Sequence, residues 1–117
     1  MKNRIEAFVN AFNGLILLFK ETYHARIHAL AVLFVVFFGF WFKLSIAEWV
    51  SVILCMALVV SLEAVNSSIE YTVNLASPKY HKLAKKAKDV AAASVLLASI
   101  FSVIIAGLIF IPKMFSI

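Results

Sequence analysis

The sequence is poor in the residues that build disulfide-bonded folds and phosphate-binding loops. Its 117 residues include one cysteine, two prolines and three glycines, and only 15% of them are charged. The single cysteine, Cys55, lies in an apolar run and cannot form an intrachain disulfide. The three glycines are not clustered, which excludes a glycine-rich phosphate loop. A nucleotide site in this chain would therefore have to be made from side chains and a helix turn.

Hydrophobic residues are abundant, in contrast, and they decide the fold class. They make up 64% of the chain, and the mean hydropathy is +1.01. A soluble domain of this length could not bury so much apolar surface, so the bilayer is the expected solvent. We therefore expect an all-α integral membrane protein that forms a single membrane domain over residues 1–117, with room for three spans.

The order of polar and apolar segments predicts a surface helix followed by three transmembrane helices. Large apolar residues recur at helical spacing near the N-terminus, so residues 2–24 are expected to form an amphipathic interfacial helix and a polar turn. Ser77 and Pro78 are expected to end the second span and to begin the next helix as N-cap and first helical residue. The later segments are the first span at 27–42, the second span with a cytoplasmic extension at 46–75, a basic segment at 78–89 and the third span at 90–111.

Positive charge is distributed unevenly along this arrangement, and the formal net charge is +5. Of the eleven Lys and Arg residues, only Lys43 and Lys113 lie on the side away from the N-terminus and the basic segment. The positive-inside rule then predicts a multi-pass protein of the inner (plasma) membrane with a cytoplasmic N-terminus and an external C-terminus. Basic residues beside apolar spans indicate lipid headgroups or a polyphosphate as partners, and no nucleic acid is expected.

A polar stripe interrupts the second span. At about 100° per residue, Glu63, Asn66, Ser67, Glu70 and Asn74 fall within an arc of roughly 100° on one helix face. Carboxylates at membrane depth are costly unless they are paired or bind a metal, so they are candidates for function. The stripe is the feature around which the rest of the chain is expected to be organised.

Two classes of function remain open at this point. The stripe beside a lysine-rich segment favours phosphoryl transfer, because cations bind phosphate oxygens and carboxylates bind Mg²⁺ or deprotonate an alcohol. The alternative is a non-enzymatic membrane bundle for ion or proton coupling or for structural support. In that interpretation the lysines only set the topology and the amides join helices. The histidines His24, His28 and His81 are too scattered for a metal site and are interpreted as interfacial residues.

Two separated motifs resemble a known family. Residues 63–70 read Glu-Ala-Val-Asn-Ser-Ser-Ile-Glu, and residues 85–93 read Lys-Lys-Ala-Lys-Asp-Val-Ala-Ala-Ala. Together they resemble the signature of the prokaryotic diacylglycerol kinases and their undecaprenol kinase relatives, and the likeness covers nearly the whole chain. The resemblance implies a kinase that uses ATP and Mg²⁺ to phosphorylate the hydroxyl of a membrane lipid alcohol, either diacylglycerol or undecaprenol. It also implies a homotrimer whose active sites are shared between neighbours at the cytoplasmic interface.

The same resemblance implies roles for individual residues. Glu63 matches the proposed base for the lipid hydroxyl, and Asn66 matches a supporting polar residue. Glu70 matches a metal ligand. The family usually has a second acid at the position of Thr22, and Glu21, one residue earlier, is expected to serve as that metal ligand here. The residues that match nucleotide contacts are Tyr80, His81, Lys88 and Asp89.

Overall fold

Four α-helices contain most of residues 2–115, the part of the chain that the computed structural model describes. They are α1 (Lys2–Glu21), α2 (Tyr23–Trp41), α3 (Ile46–Ala76) and α4 (Lys82–Phe115). Helices α2, α3 and α4 are long and apolar enough to cross a membrane. The all-α architecture with three candidate spans, predicted from hydropathy, is confirmed.

A single extended residue, Thr22, separates α1 from α2. Its N–H donates to the carbonyl of Leu18 at 2.9 Å, and the guanidinium of Arg26 donates to the carbonyl of Lys20 at 3.3 Å. These bonds satisfy carbonyl groups that the end of α1 would otherwise leave unpaired. The polar residues expected to form a turn before the first span are therefore almost all helical, and α2 begins at Tyr23.

The turn between α2 and α3 makes these helices antiparallel neighbours. Lys43 adopts the left-handed conformation (φ 54°), and the N–H groups of Lys43 and Leu44 donate to the carbonyls of Phe40 and Gly39. This pair of bonds is the Schellman motif, and Leu44, at the position whose side chain is usually hydrophobic in this motif, is buried. Ser45 then begins α3 through a capping box with Glu48. The connection is thus fixed by backbone and side-chain caps within four residues.

Helices α3 and α4 form the most extensive contact in the molecule. Helix α4 contacts only α3 among the described helices, so its buried residues Ala91, Val95 and Ala98 pack in this interface. In lipid the hydrophobic effect does not drive helices together, so association depends on close packing, and small residues let the helix backbones approach closely. At the far end of the pair, the ammonium of Lys113 lies 3.1 Å from the carboxylate of Glu48. The α3–α4 pair is therefore the scaffold on which the shorter helices pack.

The connection between α3 and α4 differs from the sequence-based expectation. Ser77 is the C-cap of α3 and not the N-cap of the next helix, and Pro78 lies in the connecting segment 77–81. Helix α4 begins only at Lys82, where the N–H of Leu83 donates to Nδ1 of His81 at 3.1 Å. The prediction from Ser-Pro was wrong because the chain needs several residues to reverse direction, and His81 then supplies the cap. The basic segment and the third span form one continuous helix.

Helix α2 approaches α3 closely at Gly39. A Cβ atom at this position would lie 2.5 Å from Cη2 of Trp49, so the absence of a side chain makes room for the indole ring. The neighbouring Phe40 ring packs on the same indole, with 4.9 Å between ring centroids. This aromatic contact fixes the register of α2 against α3 at the end of the molecule opposite the basic segment.

Candidate functional site

The polar stripe of α3 is buried at its centre and exposed at its end. Glu63 is 2% exposed, and Asn66 and Ser67 are also buried, whereas Glu70 and Asn74 are exposed. Large apolar side chains cover much of the outer surface, so the burial of a carboxylate here is the reverse of the pattern in a soluble protein. The structure therefore divides the stripe into a buried part, centred on Glu63, and an exposed part, centred on Glu70.

Helix α2 contributes His28 to the buried part. Its Nε2 atom lies 3.7 Å from Oε2 of Glu63, which is within ion-pair distance but longer than a hydrogen bond. Among the described residues, His28 is the one that lies at ion-pair distance from Glu63. The imidazole thus lies against a buried carboxylate of the neighbouring helix, a contact that the interpretation of His28 as an interfacial residue did not include.

The contact could have been anticipated from helix geometry. His28 lies 13 residues before Trp41, and Glu63 lies 14 residues after Trp49. At 1.5 Å per residue these separations are about 20 Å and about 21 Å along two antiparallel helices, although Trp49 packs against Gly39 and Phe40 and not against Trp41. The spacing therefore places the two side chains within about one helical turn of each other in height, and the helix rotation remained unknown.

Asn66 presents an unpaired acceptor beside Glu63. Its Oδ1 atom is buried and has no hydrogen-bond partner within the part of the chain that is described. An unsatisfied buried polar atom costs about 1–3 kcal/mol, so each instance calls for an explanation such as a missing ligand. Asn66 follows Glu63 by three residues and therefore lies on the same helix face. The pair offers a carboxylate and an amide to a hydroxyl group.

The junction of α1 and α2 is attached to α3 by two side-chain contacts. The hydroxyl groups of Thr22 and Ser67 lie 3.3 Å apart, and the hydroxyl of Tyr71 donates to Oε1 of Glu21 at 2.6 Å. The Tyr71 contact brings Glu21 to the residue that follows Glu70 in α3, so the two predicted metal ligands lie on adjoining helices. Tyr71 was not predicted as a site residue, since nothing in its local sequence distinguishes it from an interfacial tyrosine.

These carboxylates do not form a preformed multi-ligand metal centre. Within residues 2–115, no group of three or more His, Cys, Asp or Glu side chains is arranged to hold a metal ion. Glu21 and Glu70 are both exposed. A site with two exposed carboxylates leaves most coordination positions to water and to substrate oxygens, as Mg²⁺ prefers.

The predicted nucleotide contacts lie at the start of α4 and just before it. Tyr80 is 80% exposed, and His81 accepts the N–H of Leu83 at the helix start. Glu70 lies six residues before the end of α3, and Lys88 lies six residues after the start of α4. Each is therefore about 9 Å from its helix end, so the two lie at similar heights. The structure thus brings the exposed acid and the basic segment to one end of the molecule.

Within the basic segment, Asp89 is paired with a residue that the motif did not single out. Its Oδ2 atom accepts from Nζ of Lys85 at 2.6 Å, across one helical turn. Lys88, which the motif predicts to contact the nucleotide together with Asp89, is half-buried. The i,i+4 spacing of Lys85 and Asp89 on a helix predicts this ion pair from the sequence.

An apolar cavity of about 270 Å³ lies between α2, α3 and α4. His28 is one of its few polar lining residues, and Val59 of α3 lines it one turn before Glu63. The cavity therefore lies next to the buried part of the stripe, with His28 as the residue that borders both. Its other lining residues are Ala31, Val32, Val35, Val52, Cys55, Met56, Val60, Ser99, Ser102, Val103, Ile105 and Ala106.

Comparison with known proteins gives a consistent result. A family model for prokaryotic diacylglycerol kinase matches residues 9–110. The chain is 40% identical over 109 residues to an undecaprenol kinase of Bacillus subtilis, which covers 93% of this chain and 89% of that protein. It is 34% identical over 115 residues to a diacylglycerol kinase of Synechocystis, which covers 97% of this chain and 66% of that protein. A diacylglycerol kinase of Helicobacter pylori is 33% identical over 106 residues, or 91% of this chain and 83% of the relative.

The resemblance inferred from the two motifs is therefore confirmed over the whole helical bundle. The matched range begins within α1 and ends near the end of α4, so it includes both parts of the polar stripe and the basic segment. The chain belongs to the prokaryotic diacylglycerol kinase family.

Proposed function

We propose that this chain phosphorylates the hydroxyl of a membrane lipid alcohol at the cytoplasmic face of the plasma membrane, with ATP as the phosphate donor. Its family is one of lipid-alcohol kinases, which implies the use of ATP. The observation that carries the proposal is the carboxylate of Glu63, only 2% exposed on a helix apolar enough to cross a membrane. An acid in such a position is expensive and marks a functional site.

The height of the acids along α3 supports transfer between a lipid and a water-soluble donor. Trp41 and Trp49 are expected at the opposite, external interface. Glu63 lies 14 residues and Glu70 21 residues beyond Trp49. Along an upright helix these are about 21 Å and about 32 Å, compared with a hydrocarbon thickness of about 30 Å. Glu63 then lies about 10 Å inside the cytoplasmic edge, where a lipid hydroxyl can reach it, while Glu70 lies at the water boundary.

In this proposal Glu63 acts as the general base. It takes the proton of the lipid hydroxyl as the hydroxyl oxygen forms a bond to the γ-phosphorus, and the bond from that phosphorus to the bridging oxygen breaks to release ADP. Asn66, one turn further on the same face, is proposed to orient that hydroxyl by donating an amide N–H to the hydroxyl oxygen while the proton goes to Glu63. The burial of both residues keeps water from competing with the lipid as the acceptor.

Glu70 and Glu21 are proposed to hold Mg²⁺. Both are exposed carboxylates at the proposed cytoplasmic end of the molecule, and Glu21 accepts a hydrogen bond from Tyr71, the residue that follows Glu70. Hard oxygen donors with room for water and phosphate oxygens fit this ion. When bound, the ion neutralises charge on the phosphate oxygens.

Tyr80, His81, Lys88 and Asp89 are proposed to contact the nucleotide. Their position in the connecting segment and the first two turns of α4 supports this role, because ATP arrives from the same side. The side chain of Lys85, paired with Asp89, adds a second cation beside Lys88. Cations are required there because the β- and γ-phosphates carry most of the charge of ATP.

The orientation and assembly of the chain are part of the same proposal. The charge asymmetry supports a cytoplasmic N-terminus, with α1 as an amphipathic helix at the interface and the C-terminus outside. Bulky side chains of α1, including Ile5, Phe8 and Phe12, are more than half exposed in the single chain. Lipid or neighbouring subunits must cover such surfaces, which supports a homotrimer with shared sites.

Phosphorylation of a panel of lipid alcohols tests the function directly. The purified protein, in vesicles with ATP and Mg²⁺, is expected to transfer the γ-phosphate to diacylglycerol or undecaprenol. Both names occur among the relatives, so the panel must contain both. The control is the same reaction with ATP omitted. Failure to phosphorylate any alcohol under conditions where the chain is inserted would favour the non-enzymatic bundle instead.

A further inference from the structure

We infer that His28 is a positioning residue that holds the Glu63 carboxylate in its working orientation. The inference rests on the proposed function and adds to it a residue outside both signature motifs. Its basis is the 3.7 Å approach of Nε2 to Oε2 between two neighbouring spans. His28 lies about 20 Å from the external end of α2 and Glu63 about 26 Å from the external end of α3. Both then lie inside the hydrocarbon, where a chance polar contact is costly.

The Glu63 side chain needs an external restraint. A glutamate has three rotatable bonds, and a base must be held within about 0.5 Å of its productive position. An imidazole that carries hydrogen on Nε2 and lies 3.7 Å from Oε2 attracts that oxygen and occupies the space beside it, which limits the rotamers of the Glu63 side chain. Because His28 approaches Oε2, the other oxygen is left to face the lipid hydroxyl.

His28 also lies between the base and the apolar cavity. Its side chain is 22% exposed and lines the cavity together with Val32 and Val59, whereas Glu63 is more completely enclosed. The imidazole is therefore supported by packing from α2 and α3 on one side and contacts the carboxylate on the other. In many enzymes a catalytic base is held in position by a further side chain, and His28 would serve Glu63 in this way.

Substitution of His28 gives a graded test. In His28→Leu we expect kcat for the lipid alcohol to fall about 10- to 100-fold, since a displacement of about 1 Å can cost that much. The KM for ATP is expected to stay within about twofold, because the proposed nucleotide contacts lie about 10 Å further along the helices. The amide nitrogen of glutamine takes the approximate place of Nε2 and that of asparagine the place of Nδ1. His28→Gln should therefore keep most of kcat, while His28→Asn should resemble His28→Leu.

His24 provides the matched control. It lies one turn earlier on α2, is exposed, and makes an edge contact with the ring of Tyr23 rather than with an acid. His24→Leu removes the same imidazole from the same helix and should leave kcat within about threefold of the parent, as expected for a surface change.

A double substitution separates positioning from a merely structural role. If His28 acts through Glu63, then His28→Leu should cost less than about twofold in the Glu63→Gln background, because the group that it positions is already gone. An additional loss as large as in the parent background would overturn the inference, as would an unchanged kcat in His28→Leu alone. An unmodified protein that phosphorylates no lipid alcohol would instead remove the proposed function itself, and the role of His28 with it.

Discussion

Replacement of Glu63 by glutamine is the sharpest test of the proposed chemistry. The substitution keeps the length and shape of the side chain and leaves an oxygen beside Nε2 of His28. It removes only the ability to take a proton from the lipid hydroxyl. We therefore expect Glu63→Gln to insert, to assemble and to bind Mg²⁺ and ATP, but to turn over poorly.

The expected magnitude follows from the role and from the burial. Loss of a general base costs about a hundredfold to ten-thousandfold in rate, or about 2.7–5.4 kcal/mol of transition-state stabilisation. The fold should not be weakened in parallel. Glu63 is 2% exposed, so a neutral amide relieves the desolvation of a buried carboxylate. A large loss of activity without loss of thermal stability would therefore locate the effect in catalysis.

The assay measures kcat and KM for the lipid alcohol in vesicles, with ATP affinity and thermal unfolding measured on the same preparations. Glu6→Gln is the matched control, since it makes the same chemical change at an exposed position of α1. Its kcat should stay within about threefold of the parent. Glu63→Gln with a kcat close to that of the parent would show that the acid is structural, and the proposed mechanism would lose its base.

Three further predictions follow from other parts of the molecule. Glu70→Gln should weaken Mg²⁺-dependent ATP binding, and identical titrations of ATP against Mg²⁺ for variant and parent would remove Glu70 from the metal site. Gly39→Ala should lower stability by about 1–3 kcal/mol because its Cβ would lie 2.5 Å from Trp49, and Trp49→Phe in that background should recover part of the loss in thermal unfolding. A reporter that works only outside the cytoplasm should be active when fused to the C-terminus and inactive when inserted at Lys79. The opposite pattern would place Glu70 on the side without ATP.

The fold could be predicted largely from composition and periodicity. Hydropathy predicts the number of spans because a segment in lipid must satisfy its backbone hydrogen bonds internally, which here requires a long apolar helix for each crossing. The stripe from Glu63 to Asn74 could be read from helical spacing alone. The boundaries were less accurate at Pro78, where a strong helix-start signal occurs in a segment that the chain needs to reverse direction. The geometry of the connection between α3 and α4 therefore overrides the local helix-start signal of Ser77 and Pro78.

The site could be predicted only where its residues share one helix. Glu63 and Asn66 lie on one face of α3, so their proximity follows from sequence spacing. The approach of His28 depends on the rotation of α2 against α3, which is set by the packing of Gly39 on Trp49 at the other end of the pair. No local pattern at His28 contains that information. The contact of Glu21 with Tyr71 depends in the same way on how α1 packs on α3.

The burial of Glu63 also sets a condition on the lipid that can be phosphorylated. In the proposed orientation Glu63 is a base about 10 Å inside the cytoplasmic edge, and only a hydroxyl that leaves the headgroup region can reach it. A lipid with a charged headgroup would have to desolvate that charge to bring a hydroxyl to this depth, at a cost of several kcal/mol. Diacylglycerol and undecaprenol each carry a neutral hydroxyl on an apolar body, and both meet the condition. In this proposal the depth of Glu63 favours neutral lipid alcohols as a class, and discrimination within that class would come from contacts with the apolar chains.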